Sequence, residues 1–142
     1  MHDLDQPQGQ GAHWGEVQAN IHKALGCVGV VADGSVRDLD EVRRLGFQFS
    51  VAHVSVSHAN VHLVDFGIPV KVGGVWINPG DLLHGDQHGV VVVPNEIAEG
   101  IPEAAERVAA DEQRIIQAFR AEGVVTLERL KAAYKSVRPD AY

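Results

Sequence analysis

The sequence predicts an α/β protein with several short strands, an early helix and a helical C-terminal part. Three observations support this prediction. Apolar residues near the N-terminus repeat with helical spacing, short apolar or alternating runs typical of strands follow, and glycine-rich turns separate these runs. The patterns do not fix the order of the strands, so an α+β arrangement of the same elements stays open at this point.

The first elements expected are a helix and a buried strand. Residues 9–12 suit a loop, and the apolar spacing over residues 14–25 predicts a helix that stops at Gly26. Residues 27–32 form a short apolar run, which is typical of a strand buried on both faces. Asp-Gly at residues 33–34 predicts a turn directly after this strand.

A second helix and strand are expected next, followed by tight turns. Asp38 or Asp40 can cap a short helix that ends at Gly46, and the alternation over residues 47–51 predicts a strand. The later elements expected are a hairpin of residues 68–72 and 75–77 joined by Gly73-Gly74, turns at 79–81 and 85–89, and a last strand at 90–93.

From about residue 95 the chain is expected to be a helical tail. Pro102 suits the first turn of a helix that runs toward Gly123, and Thr126 can cap a final short helix. The side chains expected to face inward are Ala105, Val108, Ile115 or Ile116, and Phe119 of the long helix, and Leu127, Leu130 and Tyr134 of the short one. A chain of this length predicts one domain, residues 1–142.

Composition excludes several classes of protein and partner. The net charge of −7 disfavours nucleic acid, because phosphate binding needs a basic face. No apolar run approaches the roughly 20 residues of a membrane span, and the N-terminus lacks the features of a secretory signal. A soluble, cytoplasmic protein is therefore expected. The single cysteine, Cys27, excludes an internal disulfide and is expected to be a small side chain buried in a strand.

Two segments combine residues that suit a binding site. They are residues 15–18 (Gly-Glu-Val-Gln), at the start of the early helix, and the Arg37-Asp38 pair. A helix start presents unpaired N–H groups that attract a carboxylate, and Gly15 allows close approach to the backbone. Arg37 offers a planar fork for a carboxylate or an enolate. Glu16 and Asp38 are hard oxygen ligands of the kind that Mg²⁺ or Mn²⁺ takes.

The same residues also have an ordinary structural interpretation. Glu16 favours a helix N-terminus on its own, and Asp38 can be an N-cap beside an exposed arginine. The spacing alone does not decide between a metal site and these structural roles.

Three motifs in order add a family resemblance. Glu16 is followed by twenty other residues and then by Arg-Asp at 37–38, and Asp-Gly at 33–34 opens an Asp-Gly-x-x-Arg-Asp motif. Pro-Gly-Asp at 79–81 is followed by Gly-Val-Val-Val-Val-Pro at 89–94. Together the motifs resemble the regulator of ribonuclease activity A family, which also contains the class II 4-hydroxy-4-methyl-2-oxoglutarate aldolases. The resemblance covers nearly the whole chain.

The resemblance implies a swivelling β/β/α fold of the phosphohistidine-domain type and a homotrimer or dimer of trimers. It implies a metal-dependent lyase that cleaves a 4-hydroxy-2-oxo acid to pyruvate, with oxaloacetate decarboxylation as a companion activity. By position, Asp38 would bind the metal, Mg²⁺ or Mn²⁺, and Arg37 would bind the 2-oxo acid and stabilise its enolate. Glu16 would reach the metal through water, and the loop that holds the substrate carboxylate would be Gly15, Glu16, Val17 and Gln18.

The sequence departs from the family's pattern at two places. Glu16 stands where the aldolases usually have aspartate, and the additional methylene moves the carboxylate, so rate or substrate is expected to differ. Family members carry an additional N-terminal segment before the stretch that begins here with residues 3–5. Part of that segment is therefore expected to be missing from this chain.

Two other functions fit parts of the sequence. The family's ribonuclease inhibitors imply a non-catalytic, protein-binding regulator. That function needs no acidic residue at position 16 together with Asp38, so the presence of both favours catalysis. A methyltransferase, a label also attached to this family, is disfavoured because no glycine-rich strand-to-helix loop is followed by an acidic ribose binder.

Several other polar or aromatic residues are candidates for structural or binding roles. His58 and His62 are four residues apart, but no helical period and no third ligand accompany them, so hydrogen bonding near the cleft is favoured over zinc. Trp14 is expected to wall the substrate pocket rather than to staple the helix start. The other candidates are Asp33, Asp81 and Asp86 as turn residues, His84 and His88 beside the last turn, and Glu112, which could reach a neighbour's site in a trimer.

Overall fold

The computed structural model describes residues 1–120 and 123–138. The chain forms two compact units, Met1–Asn95 and Glu96–Tyr142. All the strands in the described residues lie in the first unit. Among the same residues, no helix has both the length and the apolar character that crossing a bilayer requires.

The first unit contains a parallel sheet and two hairpins. In chain order its elements are β1 (Ala12–Trp14), α1 (Glu16–Ala24), β2 (Gly29–Val36), α2 (Leu39–Leu45), β3 (Gln48–Val54), β4 (Val70–Val72), β5 (Val75–Ile77), β6 (Leu82–Asp86) and β7 (Gly89–Val93). Strands β1, β2 and β3 pair in parallel in that order, whereas β4 with β5 and β6 with β7 are antiparallel. Parallel neighbours need a crossover, which α1 and α2 supply. The predicted α/β class is confirmed.

The predicted hairpin forms, although its first strand begins at Val70 rather than at residue 68, and the turn predicted at 85–89 is confined to residues 87–88 between β6 and β7. Glycines 73–74 join β4 to β5 with φ angles of 56° and 86°, the conformation of a type I′ turn. Asp81 Oδ2 accepts a hydrogen bond from the Asn78 N–H at 2.7 Å, and Asp86 Oδ1 accepts one from the His88 N–H at 2.7 Å. The backbone-bonding roles predicted for Asp81 and Asp86 are therefore confirmed.

The core of this unit joins the two helices to the parallel sheet. Its buried cluster consists of Trp14, Ala19, Val36, Val42 and Phe47. The ring of Trp14 stacks on the ring of Phe47, with centroids 5.7 Å apart and planes at 17°. Burying a large apolar side chain contributes about 1.5–3 kcal/mol, so this cluster is what holds the start of α1 against the sheet.

The sequence pattern misses β1. Three residues are too few to show alternation, but β1 pairs with Ser35 and Val36 of β2. As a result α1 begins at Glu16 rather than at Trp14, and Ala19 is its buried residue. Val17, Ile21 and Leu25, three of the apolar residues whose spacing predicts this helix, are exposed.

Asp33 and Gly34 lie inside β2, so the turn predicted at these residues is wrong. The register of β2 against β3 shifts between Ala32 and Ser35, which places an irregularity of the β-bulge kind around the Asp-Gly pair. A Cβ on Gly34 would lie 2.8 Å from the ring of His13. The glycine is thus required by close packing within the strand and not by a turn.

Cys27 is exposed, so the prediction of a buried strand thiol is wrong. Strand β2 begins two residues later, at Gly29. The N–H of Cys27 instead donates to the carbonyl of His22 at 2.9 Å, and Gly26 has a φ of 92°. This is the Schellman pattern of a helix end, and it assigns Cys27 to the termination of α1.

Asp33 is a buried carboxylate that fixes the N-terminal segment on β2. Its Oδ2 lies 2.6 Å from His2 Nδ1, and its Oδ1 accepts a hydrogen bond from the Asp3 N–H at 2.6 Å. Burial raises the pKa of Asp33, but the hydrogen bonds from Asp3 and His2 lower it by more, so the net pKa lies below its usual 3.8. The ionised carboxylate therefore stabilises the folded state.

Replacing Asp33 with asparagine is expected to lower the free energy of unfolding at neutral pH by about 1–3 kcal/mol, because two hydrogen bonds lose their charge. A depressed folded-state pKa stabilises above the unfolded pKa, and that contribution is lost as pH falls through the folded pKa. The difference from wild type should thus shrink below pH 3.8. Urea unfolding near neutral pH and in strong acid measures it, with the exposed Asp5→Asn as control. An equal difference at both pH values would contradict this role.

The second unit is a pair of helices, α3 (Ile101–Arg120) and α4 (Leu127–Val137), with a 3₁₀ segment, Asn95–Gly100, preceding α3. The Thr126 hydroxyl accepts a hydrogen bond from the Arg129 N–H at 3.2 Å, so the predicted N-cap is confirmed. The end predicted for the long helix near Gly123 involves residues 121–122, which lie outside the described residues.

The inward face predicted for these helices is only partly correct. Ile115 and Phe119 of α3 are half-buried, whereas Val108 is exposed. In α4 the buried residue is Ala133, and the three residues expected to face inward are 39–58% exposed: Leu127, Leu130 and Tyr134. Two packed helices bury only a narrow stripe between them, which accounts for the difference.

Candidate functional site

The two predicted site segments meet at one edge of the parallel sheet. Trp14, the last residue of β1, pairs with Val36, the last residue of β2. The Arg37 N–H donates to the carbonyl of Trp14 at 2.9 Å, which continues the pairing by one residue. Residues 15–18 and the Arg37-Asp38 pair therefore leave the sheet side by side. The carboxyl edge of parallel strands is where α/β proteins place their ligands.

Asp38 connects the two segments through its side chain. It is the N-cap of α2, but its carboxylate makes no capping hydrogen bond to that helix. Its Oδ2 instead accepts a hydrogen bond from the Glu16 N–H, at the start of α1, at 2.9 Å. Asp38 has a φ of 58° and is the non-glycine residue with positive φ among those the structure describes. Aspartate tolerates this left-handed conformation, which is frequent at functional sites.

Arg37 lies against the same carboxylate oxygen. Its Nε is 3.5 Å from Asp38 Oδ2, and both side chains are 37% exposed. An ion pair exposed to this degree contributes little to stability. Because the Arg37 side chain is partly exposed, its guanidinium can bind an anionic ligand from solvent.

Gly15 is buried between these side chains. A Cβ at this position would lie 2.4 Å from Asp38 Oδ2 and 3.1 Å from Arg37 Nε. The sequence predicts that Gly15 lets a ligand approach the backbone; in the structure Asp38 and Arg37 themselves make that approach. Glycine is needed here because the space is occupied, since its φ of −157° is open to any residue.

Replacing Gly15 with alanine is expected to displace the Asp38 carboxylate and to break its hydrogen bond to the Glu16 N–H. Loss of one such hydrogen bond lowers the free energy of unfolding by about 0.5–1.5 kcal/mol, or up to about 3 for a charged acceptor. Chemical denaturation measures this difference. Gly100→Ala, where a Cβ would meet nothing within 4 Å, is the matched control. Equal stability of the two variants would contradict the close approach.

The other residues predicted for the loop lie on the first turn of α1. Glu16, Val17 and Gln18 all have exposed side chains. The Glu16 backbone joins the cluster through its N–H, and its carboxylate is the acidic group in the first turn of the helix. The structure thus brings together Gly15, the Glu16 N–H, Arg37 and Asp38. The side chains of Val17 and Gln18 are exposed and take no part in these contacts.

The carboxylates at this edge are hard oxygen donors, which Mg²⁺ or Mn²⁺ accepts as ligands. Within residues 1–120 and 123–138 there is no group of three or more histidine, cysteine, aspartate or glutamate side chains that could hold an ion. Magnesium needs only one or two carboxylates, with waters completing the octahedron. Asp38, 37% exposed, and the exposed Glu16 in the first turn of α1 each have a carboxylate that could serve as such a ligand.

The structure also describes three other candidate residues, Trp14, His88 and Glu112. Trp14 is 6% exposed in the core, so the prediction that it walls the pocket is wrong. His88 Nδ1 lies 3.1 Å from Asp86 Oδ2 in the turn between β6 and β7, which is a structural contact. The hydrogen bonds from His88 hold the pKa of Asp86 below its usual value. Glu112 lies on α3, in the second unit, and its reach into a neighbour's site stays a prediction.

A cleft of about 790 Å³ lies elsewhere in the first unit and not at this edge. The N-terminal residues, residues 59–71 and Trp76 line it, and none of the predicted site residues does. The candidate site lies at an exposed edge of the sheet, where the side chains of Arg37 and Asp38 are each 37% exposed. Sequence reasoning also misses the Asp33 cluster, because His2 and Asp33 are 31 residues apart and no local pattern links them.

The fold and this edge define an α/β protein with an arginine–carboxylate site at the end of its parallel strands. The RraA-like family model, described as Aldolase/RraA, matches residues 4–92. The chain belongs to this family.

Relatives and solved structures agree with that assignment. A protein of Halalkalibacterium halodurans named "Putative 4-hydroxy-4-methyl-2-oxoglutarate aldolase" is 31% identical over 100 residues, which cover 70% of this chain and 48% of that protein. An uncharacterized protein from Pseudomonas syringae has a similar structure, with a TM-score of 0.72 and 28% identity over 93% of this chain and 61% of that one. The RNA-processing inhibitor RraA from Thermus thermophilis has a TM-score of 0.55 and 27% identity, over 61% and 54% of the two chains.

The chain spans about half the length of the curated relatives it matches, 48% for the first and 50% for a protein of Methanocaldococcus jannaschii. The family and its fold are established by this similarity. The activity, substrate and assembly of the longer relatives come to this chain only as proposals.

Proposed function

We propose that the protein is a divalent-metal-dependent lyase that cleaves a 4-hydroxy-2-oxo acid to pyruvate. The observation that supports it most is the bridging position of Asp38 Oδ2, which lies 2.9 Å from the Glu16 nitrogen and 3.5 Å from Arg37 Nε. A helix N–H, a guanidinium and a carboxylate thus meet at one edge, and these are the groups that a 2-oxo acid and a hard cation need. Relatives named as aldolases point to the same chemistry.

In this mechanism Arg37 and the start of α1 bind and orient the anionic end of the substrate. The N–H groups of residues 15–18 would donate hydrogen bonds to the substrate carboxylate, assisted by the helix dipole. Asp38 and Glu16 would hold the cation, Mg²⁺ or Mn²⁺. When bound, that ion supplies Lewis-acid polarisation of the 2-oxo group.

Carbon–carbon cleavage then requires an acceptor for the electron pair of the bond and an acceptor for the hydroxyl proton. The C3–C4 bond breaks, its electron pair passes to the enolate of pyruvate, and Arg37 stabilises the negative charge that develops. The 4-hydroxyl gives its proton to water at the exposed edge and becomes the carbonyl oxygen of the second product. Protonation of C3 completes pyruvate. Oxaloacetate gives the same enolate with loss of CO₂, so decarboxylation is the companion activity.

The test is pyruvate release from 4-hydroxy-4-methyl-2-oxoglutarate and from oxaloacetate, followed with a coupled NADH assay in Mg²⁺ and in EDTA. The proposal expects release from both substrates in Mg²⁺ and none above the protein-free rate in EDTA. Folded protein without metal-dependent release from either substrate would refute it. We expect the active protein to be a homotrimer or a dimer of trimers, and sedimentation velocity in the assay buffer measures this oligomeric state. The location proposed for it is the cytoplasm.

The alternative is a non-catalytic regulator that binds a ribonuclease-type partner. Its support is the structural similarity to the RNA-processing inhibitor RraA, at a TM-score of 0.55. This function needs neither a cation nor Arg37 at the sheet edge. Inhibition of a ribonuclease that is unchanged by EDTA and by Arg37→Ala would favour the regulator, especially if pyruvate release is absent.

A further inference from the structure

One carboxylate oxygen of Asp38 contacts the Glu16 N–H and lies near Arg37, the two donors that the proposed function assigns to the substrate. We propose that Asp38 is an internal stand-in for the substrate oxygen and that a divalent cation opens the site by drawing this carboxylate away from the Glu16 N–H. The inference rests on the proposed function of this edge. It adds an order of events, in which cation binding prepares the helix start for the 2-oxo acid.

Two distances from Asp38 Oδ2 indicate that this oxygen and a substrate carboxylate would compete for one position. Asp38 Oδ2 is 2.9 Å from the Glu16 nitrogen, which is full hydrogen-bond length, and 3.5 Å from Arg37 Nε. A substrate carboxylate that used the same N–H and the same guanidinium would need the position of this oxygen. The two carboxylates therefore compete for one place.

The surroundings of Asp38 allow its side chain both to reach α1 and to turn away from it. Although Asp38 is the N-cap of α2, its side chain does not cap that helix and reaches α1 instead. Gly15 makes this reach possible, because a Cβ there would lie 2.4 Å from Asp38 Oδ2. The Asp38 side chain is 37% exposed, so it has room to turn toward a cation in solvent.

Competition for Asp38 couples the two ligands. A cation that takes the carboxylate frees the Glu16 N–H, so it raises the affinity for the 2-oxo acid, and the 2-oxo acid raises the affinity for the cation by the same factor. Coupling of this kind is typically about 5–150-fold. An effect of about tenfold on pyruvate binding is expected here.

Two substitutions separate the roles of the carboxylate. Position 38 has a φ of 58°, which asparagine and glycine accept more readily than other residues, so both variants should keep the backbone. In Asp38→Asn the amide oxygen still accepts the Glu16 N–H but is a poor cation ligand. In Asp38→Gly the N–H is free with or without a cation.

The experiment measures pyruvate binding by calorimetry with and without Mg²⁺, and the ¹H–¹⁵N resonance of the Glu16 amide with Mg²⁺ alone. Wild type should show a Mg²⁺-dependent shift of the Glu16 resonance and about tenfold tighter pyruvate binding in Mg²⁺. Asp38→Gly should bind pyruvate about tenfold more tightly than wild type without Mg²⁺ and gain nothing from it. Asp38→Asn should bind weakly in both conditions.

Asp40→Asn is the matched control, because Asp40 pairs with Arg43 at 3.1 Å on the exposed face of α2, and it should behave as wild type. A wild-type Glu16 resonance that does not move in saturating Mg²⁺ would overturn the inference. So would an equal gain from Mg²⁺ in Asp38→Gly and wild type. Neither measurement uses turnover, so absent lyase activity would refute the proposed function and leave this inference to be decided by the binding data.

Discussion

Replacing Arg37 with alanine is expected to lower kcat/KM for pyruvate release by about 10²–10³-fold, the usual loss when a group that stabilises developing negative charge is removed. The guanidinium is at the carboxyl edge of the sheet, 3.5 Å from Asp38 Oδ2 and beside the helix start. Since the side chain is 37% exposed, the fold should not depend on it. The free energy of unfolding should change by less than about 0.5 kcal/mol.

Two companion variants sharpen this result. Arg37→Lys keeps the charge but loses the planar fork, so its activity should fall between those of wild type and Arg37→Ala. Arg43→Ala removes an exposed arginine that pairs with Asp40 on α2, and it should keep full activity. Wild-type kcat/KM in Arg37→Ala would remove Arg37 from the site.

Replacing Trp14 with alanine is expected to lower the free energy of unfolding by about 3–5 kcal/mol, the range for a large aromatic removed from a core. Trp14 is 6% exposed and stacks on Phe47 at 5.7 Å, with Phe49 edge-on at 6.4 Å. It is also the residue whose carbonyl accepts the Arg37 N–H. Urea unfolding followed by circular dichroism measures the loss.

Trp76 offers a matched control for this variant. It is 61% exposed on β5, so Trp76→Ala should change stability by no more than about 0.5 kcal/mol. If both tryptophan variants lost the same stability, Trp14 would not be the centre of the core. If Trp14→Ala lost activity at unchanged stability, Trp14 would belong to the site, as the sequence interpretation had it.

The candidate site residues could be named from the sequence, but the sequence did not show that they lie together. Gly15, Glu16, Arg37 and Asp38 each carry a recognisable chemical property and a recognisable spacing. Their proximity depends on the parallel pairing of β1 with β2, and β1 is only three residues long. A strand so short leaves no periodic signal, and so the common edge is visible only in the structure.

The wrong predictions at residues 33–34 and at Cys27 have different physical causes, which are tertiary contacts for the first and a local helix end for the second. Asp-Gly at residues 33–34 is a strong local turn signal, yet partners some 30 residues away, His2 and Asp3, stabilise the carboxylate inside a strand. Cys27 has apolar neighbours in sequence, but the Schellman end of α1 uses it before β2 begins. Local patterns predicted the hairpin at Gly73-Gly74 well, because that turn needs only its own two residues.

The most direct test of the central claim is metal-dependent pyruvate release by Asp38→Asn measured beside Asp40→Asn. The two changes remove the same charge two residues apart, but only Asp38 touches the Glu16 N–H and Arg37. The expected result is a loss of at least about a hundredfold in Asp38→Asn, with equal residual rates in Mg²⁺ and EDTA, and wild-type behaviour in Asp40→Asn. Full Mg²⁺-dependent activity in Asp38→Asn would contradict the assignment of the sheet edge as the metal and 2-oxo acid site.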